Sequence, residues 1–169
     1  MKRNALFRDY TLLILTGIMC WSCKHGHVSR DRVDKNILLE LVKQLADTKG
    51  SHAPEASRAL LHDYAGRYEM VMVDSLFKPA ACNLVQVRIV PDKDFSYIDI
   101  RLPTQLEGQL TYADFDHVFG AGTEPPRPKE PVGFSVMYSA SKRADIRVAV
   151  NSHQPPEAVH PEIYQILIL

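Results

Sequence analysis

The chain has 169 residues, 46% of them hydrophobic, with 20 Lys and Arg against 20 Asp and Glu. That length suits one domain with a real core, and the balanced charge excludes the electrostatic footprint of a nucleic-acid binder. No long run of like charge and no internal repeat points to a disordered tail or a repeat array.

The first element is a leader. Met1, Lys2 and Arg3 open basic, Arg8 follows, and residues 11–19 (TLLILTGIM) form a short apolar run closed by Cys20-Trp21-Ser22-Cys23. A charged start, an apolar stretch of about 7–15 residues and a processing site make a secretory signal. The run is shorter than the roughly 20 apolar residues of a spanning helix. With its closing cysteines, segment 1–23 resembles the bacterial lipoprotein class of signal peptide, which implies cleavage before a cysteine that is then acylated. Cys23 follows the small Ser22 but has Cys20 at minus three, whereas Cys20 follows the bulky Met19 and has Gly17 at minus three. Cys23 is therefore the expected lipid carrier and Cys20 the second choice. The same resemblance implies the periplasmic face of the cell envelope. Lys24, standing where inner-membrane lipoproteins of enteric bacteria carry Asp, implies the outer membrane.

These assignments divide the chain into a signal peptide at 1–22, lipid attachment and a polar tether at 23–33, and one domain at 34–169. The signal holds Lys2, Arg3, Arg8 and Asp9, so the exported part keeps 17 basic and 19 acidic residues. If Cys23 carries the lipid, Cys82 is the one remaining thiol; if Cys20 does, Cys23 and Cys82 are left to pair in an oxidising compartment. The Cys20-x-x-Cys23 spacing meets neither haem attachment, where Lys24 would be His, nor a redox pair, which needs a strand before it.

Within the domain, Asp34 suits the cap of a helix whose apolar face is Ile37, Leu38, Leu41, Val42 and Leu45. Pro54 suits the first turn of a second helix, with Ala56, Leu60 and Tyr64 on one side and Gly66 at its stop. Strands are expected at 68–73, 84–90 and 97–102, the last two forming a hairpin around the turn at 91–94. Ile98, Ile100 and Leu102 alternate with Tyr97, Asp99 and Arg101, one face core and the other wet. Thr111 suits the cap of a short helix with Tyr112, Phe115 and Phe119 inward and Gly120 at its end. Strands at 133–138 and 145–150 follow, then an apolar strand at 163–169 that must lie centrally or under cover. The sum is an α+β fold: an N-terminal helical pair, then a mainly antiparallel sheet interrupted by one short helix.

Chemistry-bearing motifs are sparse. There is no Gly-x-Ser-x-Gly elbow, and no helix pattern follows Gly120-Ala121-Gly122 as a phosphate loop requires. His25 and His27 supply two ligands where a metal site needs three or four, and His52, His62, His153 and His160 are scattered. No cofactor or metal is expected. Asp114 and His117 share a helical face and have acid–base chemistry, but Asp114 is also placed to complete the helix cap. The proline cluster Pro125, Pro126, Arg127, Pro128 holds an extended segment of the kind that docks into aromatic grooves. With Asp116 and His117 it forms the expected partner-binding region. A second proline-bearing loop begins at Gln154, Pro155 and Pro156.

In size, anchor and α+β layout the chain resembles the periplasmic immunity lipoproteins that accompany contact-dependent and type VI secretion effectors. The resemblance implies a non-enzymatic, membrane-anchored inhibitor whose partner is another protein, a toxin or an envelope component. An assembly factor fits the same features. The alternatives are a small periplasmic hydrolase using Asp114, Asp116 or His117, and a ligand binder with a pocket between helices and sheet.

Overall fold

The computed structural model describes residues 30–49, 54–73, 83–90, 97–125, 133–140 and 143–169. Cys20, Cys23, Cys82, His25, His27 and His52, the turn at 91–94, and Pro126, Arg127 and Pro128 lie outside the described residues.

Asp34 caps helix α1 (Lys35–Lys49), its Oδ1 accepting from the backbone N–H groups of Asn36 and Ile37 at 2.8 and 2.9 Å. This satisfies two of the donors that a helix start leaves open. The helix buries Leu38, Leu41, Val42 and Leu45 completely or nearly so, each worth about 1.5–3 kcal/mol when withdrawn from water. Helix α2 (Pro54–Arg67) presents a slightly different face from the one the spacing suggests. Ser57, Leu61 and Tyr64 are buried, while Leu60 only flanks the core. With Leu60 and Leu61 both apolar, packing on α1 and the first strand selects between them.

Six strands make one sheet: β1 (Met70–Met72), β2 (Val85–Val90), β3 (Tyr97–Arg101), β4 (Phe134–Ala140), β5 (Arg143–Ser152) and β6 (Ile163–Ile168), in the order β1-β2-β3-β6-β5-β4. The apolar β6 sits between β3 and β5, so neither of its edges is bare. All pairings are antiparallel except β1 with β2, which makes the sheet mixed. Two short helices, α3 (Thr104–Glu107) and α4 (Tyr112–Phe119), separate β3 from β4 where one was expected. Both lie between the halves of the sheet in sequence, and α1 packs across β4, β5 and β6 on its helical face. The core there joins Leu38, Leu61 and Phe115 to Val87, Ile100, Val148, Ile166 and Tyr138.

Alternation puts Asp99 on the opposite face, yet it is only 3% exposed. Arg88 on β2 and Arg101 on β3 approach its carboxylate at 3.5 and 3.6 Å, and the Gln165 side-chain amide donates to it at 2.8 Å. Asn151 in turn donates to Gln165 at 2.9 Å. A polar ladder therefore crosses β2, β3, β6 and β5, and a buried carboxylate is tolerated because both charge and lone pairs are met.

Strand directions give the sheet two distinct ends. The starts of β1, β2, β4 and β6 lie with the finishes of β3 and β5, as the registers Gln86 to Arg101, Arg101 to Gln165, Asn151 to Gln165 and Phe134 to Ser152 require. Asp31 joins this end by bridging Tyr68, just ahead of β1. Residue 31 therefore lies at the same end of the sheet as the β5–β6 connection.

Candidate interaction surface

The short helix α4 is fixed by a reciprocal cap. Thr111 Oγ1 accepts from the Asp114 N–H at 3.4 Å, and Asp114 Oδ2 accepts from the Thr111 N–H and hydroxyl, each at 2.9 Å. Lys35 Nζ donates to the other oxygen, Oδ1, at 3.0 Å. Burial alone would raise the Asp114 pKa, but the Thr111 and Lys35 bonds outweigh it and hold the carboxyl below its ordinary value. Asp114 thus carries structure, and no hydrogen bond or ion pair joins it to His117. Asp116 and His117 are exposed, and Asp116 Oδ1 accepts from the Gly122 N–H at 3.3 Å. Tyr138 donates to the Tyr112 carbonyl at 3.3 Å. Burial first, then the negative charge of Asp116, pushes its phenol far above the ordinary range.

Pro125 is exposed. It stands two residues beyond Thr123, which exchanges two backbone hydrogen bonds of 2.8 Å with Met137 along the outer edge of β4.

The connection between β5 and β6, residues 153–162, is the more informative feature. Its tip carries Val159, 80% exposed, the large hydrophobic residue most open to solvent among the described residues. Three prolines, Pro155, Pro156 and Pro161, restrict its backbone. Its base is tied down from both sides. The Ser152 hydroxyl donates to the Gln154 carbonyl, so the Tyr112 hydroxyl is the donor in the 2.8 Å bond between Tyr112 and Ser152. His153 stacks on Tyr164 with ring centroids 4.3 Å apart, and the Arg101 guanidinium lies 5.7 Å from the other partner's ring, that of Tyr164. The Ala158 N–H donates to the Pro155 carbonyl at 3.0 Å, closing a turn before the tip. Glu162 takes a φ of 45°, a conformation side-chain-bearing residues rarely hold unless their surroundings impose it.

Three carboxylates stand around this loop, with Arg101 at its base. Glu157 and Glu162 are exposed and Glu107 half-buried beside them. Burial pushes the Glu107 carboxyl up, Glu162 adds to the rise and His153 opposes it.

A cleft of about 410 Å³ opens at the same end of the sheet, where Arg32, Asp34, Glu69, Asn83, Gln105 and Gln109 supply its polar walls. Asp34 is the α1 cap, Glu69 lies 3.9 Å from Arg32, and Gln105 donates to Asn83 at 2.7 Å. Among the described lining residues the groups with acid–base chemistry are the carboxylates of Asp34 and Glu69. Among the described residues no group of three or more His, Cys, Asp or Glu is placed to hold a metal ion.

Of the residues singled out from sequence, Asp116, His117 and Pro125 are thus surface groups. The loop at 153–162 carried a legible signal in an apolar Val set among prolines. Its anchors, Tyr112 to Ser152 and His153 to Tyr164, join residues 40 and 11 positions apart, which no local pattern reveals. No protein family, curated protein or solved structure matches this chain.

Proposed function

We propose that this chain is a lipid-anchored envelope protein that binds another protein and performs no catalysis, acting as a toxin-inhibiting immunity lipoprotein or as an assembly factor. The anchor rests on residues 1–23, with Cys23 as the acylated residue and the outer membrane as its place. An inhibitor of this kind needs only a rigid surface and a tether that raises its local concentration where the partner arrives.

The observation that carries the reading is the loop at 153–162, where an exposed Val159 is presented on a backbone restricted by three prolines and braced at its base. A segment already held in one conformation loses little entropy on binding, so its contacts convert efficiently into affinity. Asp116, His117 and Pro125 are exposed and available as further contacts, with Pro126, Arg127 and Pro128 following Pro125 in sequence.

The test is capture of partners by the full chain, tagged at its C-terminus, from envelope extract and from the products of neighbouring genes. A stoichiometric partner whose toxicity or enzymatic activity falls on binding supports inhibition. A stoichiometric structural partner supports assembly. Recovery of none at micromolar concentration refutes the proposal.

A further inference from the structure

We infer that the loop at 153–162 faces the membrane that carries the anchor, and that the partner it meets is a membrane-embedded protein. The inference rests on the lipid-anchor reading above and adds an orientation to it.

Two independent facts converge. The tether enters beside β1, where Asp31 bridges Tyr68 and exchanges hydrogen bonds of 3.0 and 2.8 Å with Arg67 and Glu69. Strand registers put the β5–β6 loop at that same end of the sheet, because Ser152 closes β5 where Ile163 opens β6 and Arg101 closes β3. Helix α1 agrees, running from Asp34 at this end to Lys49, whose Nζ donates to the Ile168 carbonyl at the far end.

Chain length then limits the gap. Seven residues, 24–30, separate Cys23 from the bridged Asp31. The eight peptide units from Cys23 to Asp31 span at most about 29 Å. A folded domain of ~100 residues has a radius of gyration of about 13 Å, which for a sphere means a diameter of about 34 Å, wider than that longest gap. A soluble globular partner therefore does not fit comfortably beneath the loop, whereas the exposed face of a membrane-embedded protein does. Charge fits the same occupant. The loop is flanked by Glu157, Glu162 and Glu107, which oppose insertion into an anionic lipid surface and suit a partner with basic groups around an apolar depression for Val159.

The experiment uses the full chain, lipidated and reconstituted into vesicles with an acceptor dye on the lipid headgroups. Cys82→Ser is combined with a single donor-labelled cysteine at Val159 or, at the opposite end of the sheet, at Ser139. Energy transfer is expected to place position 159 about 20 Å nearer the surface than position 139, the length of a six-residue strand. Equal distances, or position 139 nearer, overturn the inference. The Cys23→Ala variant separates the two layers of the argument. If it binds vesicles as well as the parent and the added Cys20→Ala change does not abolish that binding, the anchor reading itself fails, independently of orientation. A photo-crosslinker at position 159 in living cells completes the test: an adduct with an integral membrane protein supports the inference, and one with a soluble periplasmic protein overturns it.

Discussion

Asp114→Ala distinguishes a structural carboxylate from a catalytic one. The variant removes the bonds that the Asp114 carboxylate accepts from Thr111 and the 3.0 Å contact with Lys35, while the backbone N–H at position 114 still donates to Thr111 Oγ1. Losing those hydrogen bonds costs about 0.5–1.5 kcal/mol. The ion pair is partly exposed, its side chains 43% and 20% accessible, and so adds about 0.2–1 kcal/mol. The total is about 1–2.5 kcal/mol, read as a lower urea midpoint at unchanged slope and a melting temperature lower by about 5 °C. A cycle with Lys35→Met apportions the two parts, and the coupling energy should match the ion-pair share. The pH dependence has a definite sign. Asp114 titrates below its unfolded value, so its contribution is full above about pH 4, the ordinary carboxylate range, and is lost as the pH falls through the folded value. The gap between wild type and Asp114→Asn should therefore be widest near neutrality and close in acid. A variant as stable as wild type at pH 7, or a gap that widens in acid, would refute the assignment.

Two further outcomes follow from other parts of the chain. Mass spectrometry of the membrane-bound protein should find the acyl groups on a chain beginning at Cys23; Cys23→Ala should lose them and Cys20→Ala should keep them, and the reverse pattern would move the attachment to Cys20. Glu107→Gln should stabilise the domain at neutral pH, because burial holds the Glu107 carboxyl above its ordinary value and its ionisation therefore opposes folding. That gain should shrink as the pH drops below the unfolded carboxylate range, which urea unfolding at two pH values would measure.

Much of the architecture was written in short-range chemistry. The Asp34 and Thr111 caps, the helical spacing of Leu38, Leu41, Val42 and Leu45, and the alternation around Ile98 and Ile100 each depend on neighbours within one or two turns, and each was readable. The apolar 163–169 segment also indicated its own central position, since only paired edges tolerate it. What escaped depends on longer reach. The parallel pairing of Met70 with Val85 leaves no signal in either strand's own pattern. The four residues Thr104–Glu107 make a helix too short for periodicity to register. Leu60 and Leu61 are chemically equivalent, so only tertiary packing decides which is buried. Asp99 read as a solvent-facing residue, yet Arg88, Arg101 and Gln165 from three strands enclose it. For the candidate interaction surface, residue types pointed to Pro125, Pro126, Arg127 and Pro128 with Asp116 and His117, whereas the bracing by Tyr112 and Tyr164 that draws attention to the loop around Val159 spans distant residues.

The measurement that bears most directly on protein binding as the function is the affinity of the captured envelope partner for the full chain and for Val159→Asp. Val159 is 80% exposed, so the substitution should change folding stability by no more than about 0.5 kcal/mol. Burying the new carboxylate at the contact should weaken binding by at least about tenfold, a cost of about 1.4 kcal/mol or more. Unchanged affinity in a variant of unchanged stability would contradict the account.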